Sequence, residues 1–344
     1  MYGGDDPAIG PARRPLGPWL SIAAILLFVL AILGGIAIWM TAFPHHGRMT
    51  RVEMKIPPPL GAGGAVDPSK AGNAALLEHG ATGPLPKVAS DGRAAWQVYA
   101  RPFDRSERRP RIAIVISGLG QSAAETDAAI KLPGQVTLAF SPYSPDLPAW
   151  IEKARAGQHE LLLTVPMEPA DFPQEDPGPY TLLTSLTPKQ NLDRLEWVLG
   201  RASGYVGLTN YMGSRFTTAP DSLRPIIEVL KGRGLLLLET RASSQSILAP
   251  LADEFSLPHA VNDRDFDSDL SRAGIDKALS ELEQVARQKG SAIGTGSAYP
   301  VTLDRVALWA DTLAGKDLIL APVSALVVEK SETGDKSAAK EAAQ

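Results

Sequence analysis

The sequence predicts an α/β fold, a (β/α) barrel. Eight short apolar runs alternate with seven segments of helical spacing from residue 111 onward. They occupy about 215 residues, slightly fewer than the ~250 typical of such barrels. Glycine closes several of the helical segments, as at Gly157, Gly232, Gly234 and Gly290, where a left-handed residue ends a helix most cheaply. The first run, RIAIVIS, is short and β-branched and stops at Ser117-Gly118-Leu119-Gly120, which is how a strand buried on both faces enters a turn and helix. A doubly wound open sheet is the alternative arrangement of the same elements.

Taken in order, residues 1–18 are polar and rich in Gly and Pro, with Arg13 and Arg14. Residues 19–40 are uncharged and apolar, bounded by Trp19 and Trp39. As a helix they would span roughly 33 Å, enough to cross a bilayer core, with aromatics at both interfaces. The run is too long for an ordinary signal-peptide core, and no A-x-A site follows it, so an uncleaved anchor is expected. Arg48, Arg51 and Lys55 follow it, so charge alone leaves its orientation open. Residues 41–95 are Pro/Gly/Ala-rich and read as a largely disordered linker. Residues 96–103, WQVYARPF, regain apolar alternation as an N-terminal extension of the domain at 96–328.

Strands are expected at 111–116, 136–140, 160–165, 205–209, 235–239, 259–262, 291–295 and 317–321. Helices are expected at 122–131, 145–156, 188–201, 219–232, 244–255, 271–289 and 301–314. Residues 329–344 are charged and Ala-rich and read as a loose tail.

Composition excludes several functions. Charge is nearly balanced, 34 basic against 38 acidic residues, which gives no basic face for nucleic acid. Cysteine is absent, so there is no disulfide framework and no thiolate metal site. Of five histidines, only His159 and His259 fall within the domain. Each precedes its strand, at the end opposite the expected site, and reads as a surface or packing residue.

Barrel proteins carry function just after each strand. Those positions hold Ser117 and Gly118, Ser141 and Tyr143, Thr164 and Glu168, then Asn210, Tyr211, Ser214 and Arg215. Glu239 and Arg241 follow, then the Asp263, Asp265, Asp267, Asp269 series, Ser297 with Tyr299, and Ser324. This polar and aromatic rim suits a neutral or weakly anionic polyol. Glu168 could act in acid–base chemistry, hold a sugar hydroxyl, or pair with Arg215 or Arg241. The alternating aspartates resemble the start of a calcium loop, but Ser268 stands where that loop needs Gly and Gly274 where it needs Glu. A solvated loop capping the helix from Ser271 is expected instead. Ser117-Gly118-Leu119-Gly120 lacks the lysine of a phosphate loop and reads as a close-packed turn.

Residues 111–326 resemble the divergent polysaccharide deacetylases, a branch of the carbohydrate-deacetylase barrel group. The matching pieces are IAIVISGLG, LPGQVTLAFSPYSPDL, GQHELLLTVPMEP, FPQEDPGPYTLLTSL, NYMGSRFT, RGLLLLETR, GSAIGTGSAYPVTL and LAPVSAL. The resemblance implies an irregular (β/α) barrel of the glycoside hydrolase/deacetylase type. It also implies an envelope-facing domain that acts on or binds a glycan, and so a cytoplasmic N-terminus, with a single pass through the inner membrane and the C-terminal domain in the periplasm.

The resemblance also implies a metal and acid–base set, and here this sequence departs. The family's Asp pair after the first strand is Ser117 and Gly118. Its histidines are replaced by Thr164, Tyr211 and Ser297, and its Asp after the fifth strand by Glu239. Hydroxyl and glycine are poor substitutes for anionic and imidazole ligands of a divalent ion. The expectation is therefore a module without catalytic residues, metal or cofactor, binding an envelope glycan or a periplasmic protein. Candidate ligand residues are Glu168, Asn210, Tyr211, Ser214, Arg215, Arg241, Asp263 and Asp267. The alternative is an active deacetylase, with a divalent metal such as zinc or with an unusual site built from Glu168, Glu239 and Asp263.

Overall fold

The computed structural model describes residues 74–328. The expected anchor at 19–40, the tails at 1–18 and 329–344, and the linker up to residue 73 lie outside the described residues. Among the described residues no helix is long and apolar enough to cross a membrane.

All eight apolar runs form strands of one parallel sheet. After a small hairpin, β1 (Leu77–His79) and β2 (Pro84–Pro86), come β3 (Arg111–Leu119), β4 (Thr137–Phe140), β5 (Leu161–Met167), β6 (Gly207–Met212) and β7 (Leu236–Glu239). Then follow β8 (His259–Val261), β9 (Arg264–Asp265), β10 (Ser291–Ser297) and β11 (Ile319–Leu320). The order is β8-β7-β6-β5-β4-β3-β10-β9. β11 sits beside the first two residues of β3, on which Ile319 pairs with Arg111. Every residue of β4, β5 and β7 is buried, the pattern of a sheet covered on both faces.

The sheet curls. β8 and β9 terminate opposite ends of the order, yet only Asn262 and Asp263 separate them. Asn262 N still donates to Glu239 O of β7, whereas Asp263 N donates to Ile293 O of β10, both at 2.8 Å. One extended stretch thus changes partner in mid-course and brings the two edges together. The architecture is an α/β fold on a curled parallel sheet, an incomplete barrel in which β8 and β9 are joined end to end and not side by side. The weakly apolar run at 259–262 is this closing segment.

The helices between strands are α2 (Ala123–Ile130), α3 (Leu147–Ala156), α4 (Pro188–Leu199), α5 (Pro220–Gly232), α6 (Leu248–Glu254), α7 (Arg272–Lys289) and α8 (Pro300–Ala310), preceded by a one-turn α1 (Ala95–Val98). Proline stands in the first turn of α3, α4, α5 and α8, where its missing N–H costs nothing. Thr187 and Gln190 form a capping box on α4. Gly290 ends α7 at φ +82°.

Helix α6 begins four residues later than its periodicity suggests. Ser243 Oγ accepts from Gln245 N and Ser246 Oγ from Leu248 N, and such local bonds favour turns over helix. Similarly, the helix expected over 301–314 ends at Ala310, and a 3₁₀ turn follows at Ala314–Lys316.

The expected linker is shorter than its composition implied. Residues 74–95 are ordered against the domain. Leu76 and Leu85 are buried in the core, Trp96 N donates to Gly234 O, and Thr82 Oγ1 donates to Glu196 O on α4. Two leucines anchor a stretch whose Gly and Pro content otherwise suggests disorder.

Candidate functional site

A cleft of about 280 Å³ opens at the carboxyl ends of the strands, where barrel scaffolds take their ligands. β3 contributes Ser117, β5 Thr164, and β6 Thr209, Asn210, Tyr211 and Met212. Asp265, Asp267 and Ser268 come from the closing stretch, and Thr295, Gly296 and Ser297 from β10. Thr164 and Thr209 are register partners on neighbouring strands, so their side chains leave the same face of the sheet. Ser117 and Ser297 are likewise partners, and Ser117 Oγ donates to Gly296 O at 3.2 Å.

The aspartates climb β10 as a ladder. Asp263 accepts Ile293 N at 3.0 Å and Lys289 Nζ at 3.0 Å. Asp265 accepts the Thr295 hydroxyl, and Asn262 Nδ2 at 2.9 Å. Asp267 accepts Ser297 N at 2.6 Å and Thr302 Oγ1 at 3.2 Å. Residue 266 points the other way along this stretch. Phe266 is buried against Gly294 and Gly296, and a Cβ on Gly296 would lie 2.4 Å from its ring. Those two glycines admit the ring that holds Asp265 and Asp267 toward the cleft. Burial raises the Asp267 carboxyl above the usual aspartate range, and the Asp265 charge adds to the rise; the bonds from Ser297 and Thr302 oppose it. The Asp263 expectation is corrected: it lies lower on the ladder, bound to α7, and does not line the cleft. Asp265, which is not among the expected ligand residues, does. Only Asp269 behaves as the expected capping loop, accepting Ser271 N.

Tyr211 and Tyr299 are 46% and 47% exposed, the aromatic residues most open to solvent at this end of the sheet. Partial burial raises the Tyr211 hydroxyl, with Tyr299 and then the Glu175 carboxylate adding to it.

Other expected residues serve the scaffold. Glu168 is buried and accepts Thr184 Oγ1 at 2.7 Å and Arg215 Nη1 at 3.3 Å. Arg215 Nη2 donates to Ala170 O, and Ser214 Oγ accepts Ala170 N. This network pins the loop after β5 and stands apart from the cleft lining, which settles the pairing of Glu168 in favour of Arg215. Asn210 lines the cleft but spends its amide on Met212 O, Thr240 Oγ1 and Thr240 N. Glu239 is buried and accepts Ala249 N in the first turn of α6 at 3.1 Å. Arg241 is exposed, in a left-handed conformation at φ +59°. Gly118 has φ +78°, and a Cβ there would meet nothing within 4 Å. Its glycine serves backbone conformation, at a point where β3 shifts register against β4.

His159 and His259 lie where expected, at the amino ends of β5 and β8. The His159 ring nitrogens face Val136 O and Ile130 O, and His259 Nδ1 faces Leu257 O. Sequence reasoning missed Thr209, hidden inside an apolar run, together with Thr240 and Thr295.

A curled parallel sheet with a polar cleft above its carboxyl ends is the architecture of a barrel-type α/β protein. A family model described as divergent polysaccharide deacetylase matches residues 114–327, and the chain belongs to that family. A crystal structure of an Agrobacterium tumefaciens protein is similar at TM-score 0.70 and 37% identity, over 71% of this chain and 99% of that one. A Haemophilus influenzae protein is 24% identical over 193 residues, 56% of this chain and 68% of its own length. The Escherichia coli protein YibQ is 25% identical over 198 residues, and the match spans 60% of that protein.

The residues in the cleft do not fit the divalent ion that the resemblance implies. Zinc sites are built from imidazole, thiolate and carboxylate, whereas the cleft offers serine, threonine and tyrosine hydroxyls and two carboxylates. Among the described residues no group of three His, Cys, Asp or Glu could hold an ion.

Proposed function

We propose that this protein is a membrane-anchored, envelope-facing member of the family that binds glycan in the cleft and performs no metal-assisted hydrolysis there. The observation that carries this reading is convergence. Of the six positions where the resemblance puts the family's metal and acid–base residues, four, Ser117, Thr164, Tyr211 and Ser297, line one cleft, and Gly118 and Glu239 do not. Deacetylation needs an activated water and a group to stabilise the oxyanion. Hydroxyls supply neither as an imidazole or a bound ion does, but they donate and accept hydrogen bonds, as sugar recognition requires. An atypical hydrolytic site from Glu168, Glu239 and Asp263 lacks support, since none of the three lines the cleft and each is engaged elsewhere. Residues 19–40 would serve as the anchor, single-pass in the inner membrane, with the domain in the periplasm. A periplasmic protein is the other partner this location allows.

The test uses the full chain purified in detergent. It should carry zinc far below one ion per chain, release no acetate from N-acetylated envelope saccharides, and bind at least one saccharide of an envelope panel. Replacing Ser117→Asp, Thr164→His and Tyr211→His together should create zinc affinity. Stoichiometric zinc with acetate release in the natural chain would overturn the reading, and so would failure to bind any saccharide. A reporter fused after Gln344 that is active only in the cytoplasm would overturn the location.

A further inference from the structure

Three features of the cleft bear on which sugar it takes. The first is charge. Asp265 and Asp267 stand two residues apart on one face, and no Lys, Arg or His lines the cleft with them. Neither joins an ion pair with a described residue, although the neighbouring Asp263 pairs with Lys289 and Arg264 with Glu281. The hydrogen bonds they accept from described residues end on Asp265 Oδ1 and Asp267 Oδ2. One oxygen of each carboxylate therefore receives none from a described neighbour. Two adjacent carboxylates, Asp267 half-buried and Asp265 exposed, repel one another, and a cation between them relieves that cost.

The second feature is an orphaned donor. Thr209 lines the cleft floor at 2% exposure, and its Oγ1 is buried with no hydrogen-bond partner. An unsatisfied buried hydroxyl is destabilising, so a ligand polar atom is expected to complete it. The third is aromatic. Tyr211 lines the cleft and Tyr299 lies two residues beyond its Ser297 wall, both half exposed. Ring faces of this kind pack against the C–H face of a sugar and attract cations.

We propose that the cleft selects an amino sugar bearing a free, protonated amine over its N-acetylated counterpart, with Asp265 and Asp267 receiving the ammonium, Thr209 a ring hydroxyl and Tyr211 the ring face. This rests on the glycan-binding reading and deepens it: the cleft would recognise the product of the deacetylation that its relatives' family name describes. An ammonium carries three donors and needs acceptors only, which the two carboxylates provide. An N-acetyl group placed there would bring a neutral amide and a methyl against the same two charges, leaving them unpaired.

The probes are the β-1,4-linked tetramers of glucosamine and of N-acetylglucosamine, titrated against the full chain in detergent at pH 6. The glucosamine tetramer should bind at least tenfold tighter. Asp265→Asn and Asp267→Asn, each near-isosteric and able to keep one acceptor oxygen, should abolish that preference. Asp269→Asn, outside the cleft and bonded to the local Ser271 N, should preserve it. Thr209→Val should weaken the glucosamine tetramer without changing the melting temperature by more than the Asp variants do. Equal or tighter binding of the N-acetylated tetramer overturns the inference and leaves glycan binding standing. Binding of neither tetramer, and of no other saccharide, overturns both. Spermidine competing as well as the tetramer, or calcium bound in a manner lost with Asp265→Asn, also overturns it, since the carboxylates would then serve a simple amine or an ion.

Discussion

Asp267 shows what one side chain contributes to both stability and the site. Its carboxyl is held above the usual aspartate range, first by burial and then by Asp265, against the opposing bonds from Ser297 and Thr302. The folded state therefore holds this proton at pH values where the unfolded chain has released it. Stability falls as pH rises from the ordinary carboxylate range through the raised folded value, and the penalty is complete above it. Asp267→Asn removes the titration and keeps an oxygen for Ser297 N. Thermal unfolding of the full chain from pH 4 to pH 7 should show a flatter pH dependence in this variant. Glu160, also raised by burial, retains its share of the slope. An unchanged slope would mean that Asp267 is not desolvated in the folded chain. The same residue marks the limit of what sequence could tell. The spacing of Asp263, Asp265 and Asp267 put all three on one face of an extended stretch, but which rungs reach the cleft depends on the register against β10, and no local pattern encodes that. Thr209 was invisible for a related reason: a hydroxyl inside an apolar strand looks like core until its missing partner is seen.

At the level of elements, the alternation of apolar runs and helical spacing located every strand of the main sheet except the two-residue, exposed β9, because parallel strands buried on both faces are continuous in hydrophobicity. What could not be read were contacts between distant segments. Glu160, fully buried at the foot of β5, is the clearest. Its carboxylate accepts Arg101 N at 3.2 Å, Ser324 N at 2.9 Å and the Ser324 hydroxyl. It thereby fastens both the N-terminal extension and the turn after β11 to the base of the sheet. Val323 N adds a bond to Thr137 Oγ1 on β4. The hairpin β1–β2 is a second case, since its residues are linker-like in composition and only the buried Leu76 and Leu85 reveal docking. Glu160→Ala should leave three donors, Arg101 N, Ser324 N and the Ser324 hydroxyl, without their acceptor. A destabilisation of about 2–4 kcal/mol is expected from losses of this kind, read from denaturant unfolding, with limited proteolysis first attacking residues 101–110 and 322–328. A stable Glu160→Ala chain with unaltered cleavage would show that the extension is held by apolar packing alone.

For the domain as a whole, the decisive feature is how the sheet closes. Strands β3 to β7 and β10 form extensive parallel ladders, whereas closure depends on residues 259–265 changing partner between Asn262 and Asp263. β9 contributes only two paired residues. Local opening free energies differ across a fold, and short ladders open first. This seam also carries the cleft's two carboxylates, so a thinly paired stretch of the sheet is one wall of the cleft. Asp263 is its clasp, through Ile293 N and Lys289 Nζ. Hydrogen exchange on the full chain should find the amides of 262–267 exchanging well before those of 112–116 and 161–166. Asp263→Ala should accelerate exchange at 262–268 and 291–297 by tenfold or more while leaving β5 unchanged. A saturating cleft ligand should reverse part of that acceleration, because a molecule bridging Asp267 and Tyr211 ties the seam to β6. Uniform acceleration over all strands would instead mean that the curled sheet opens as one cooperative unit and that the partner change at Asn262 is no weaker than the ladders it joins.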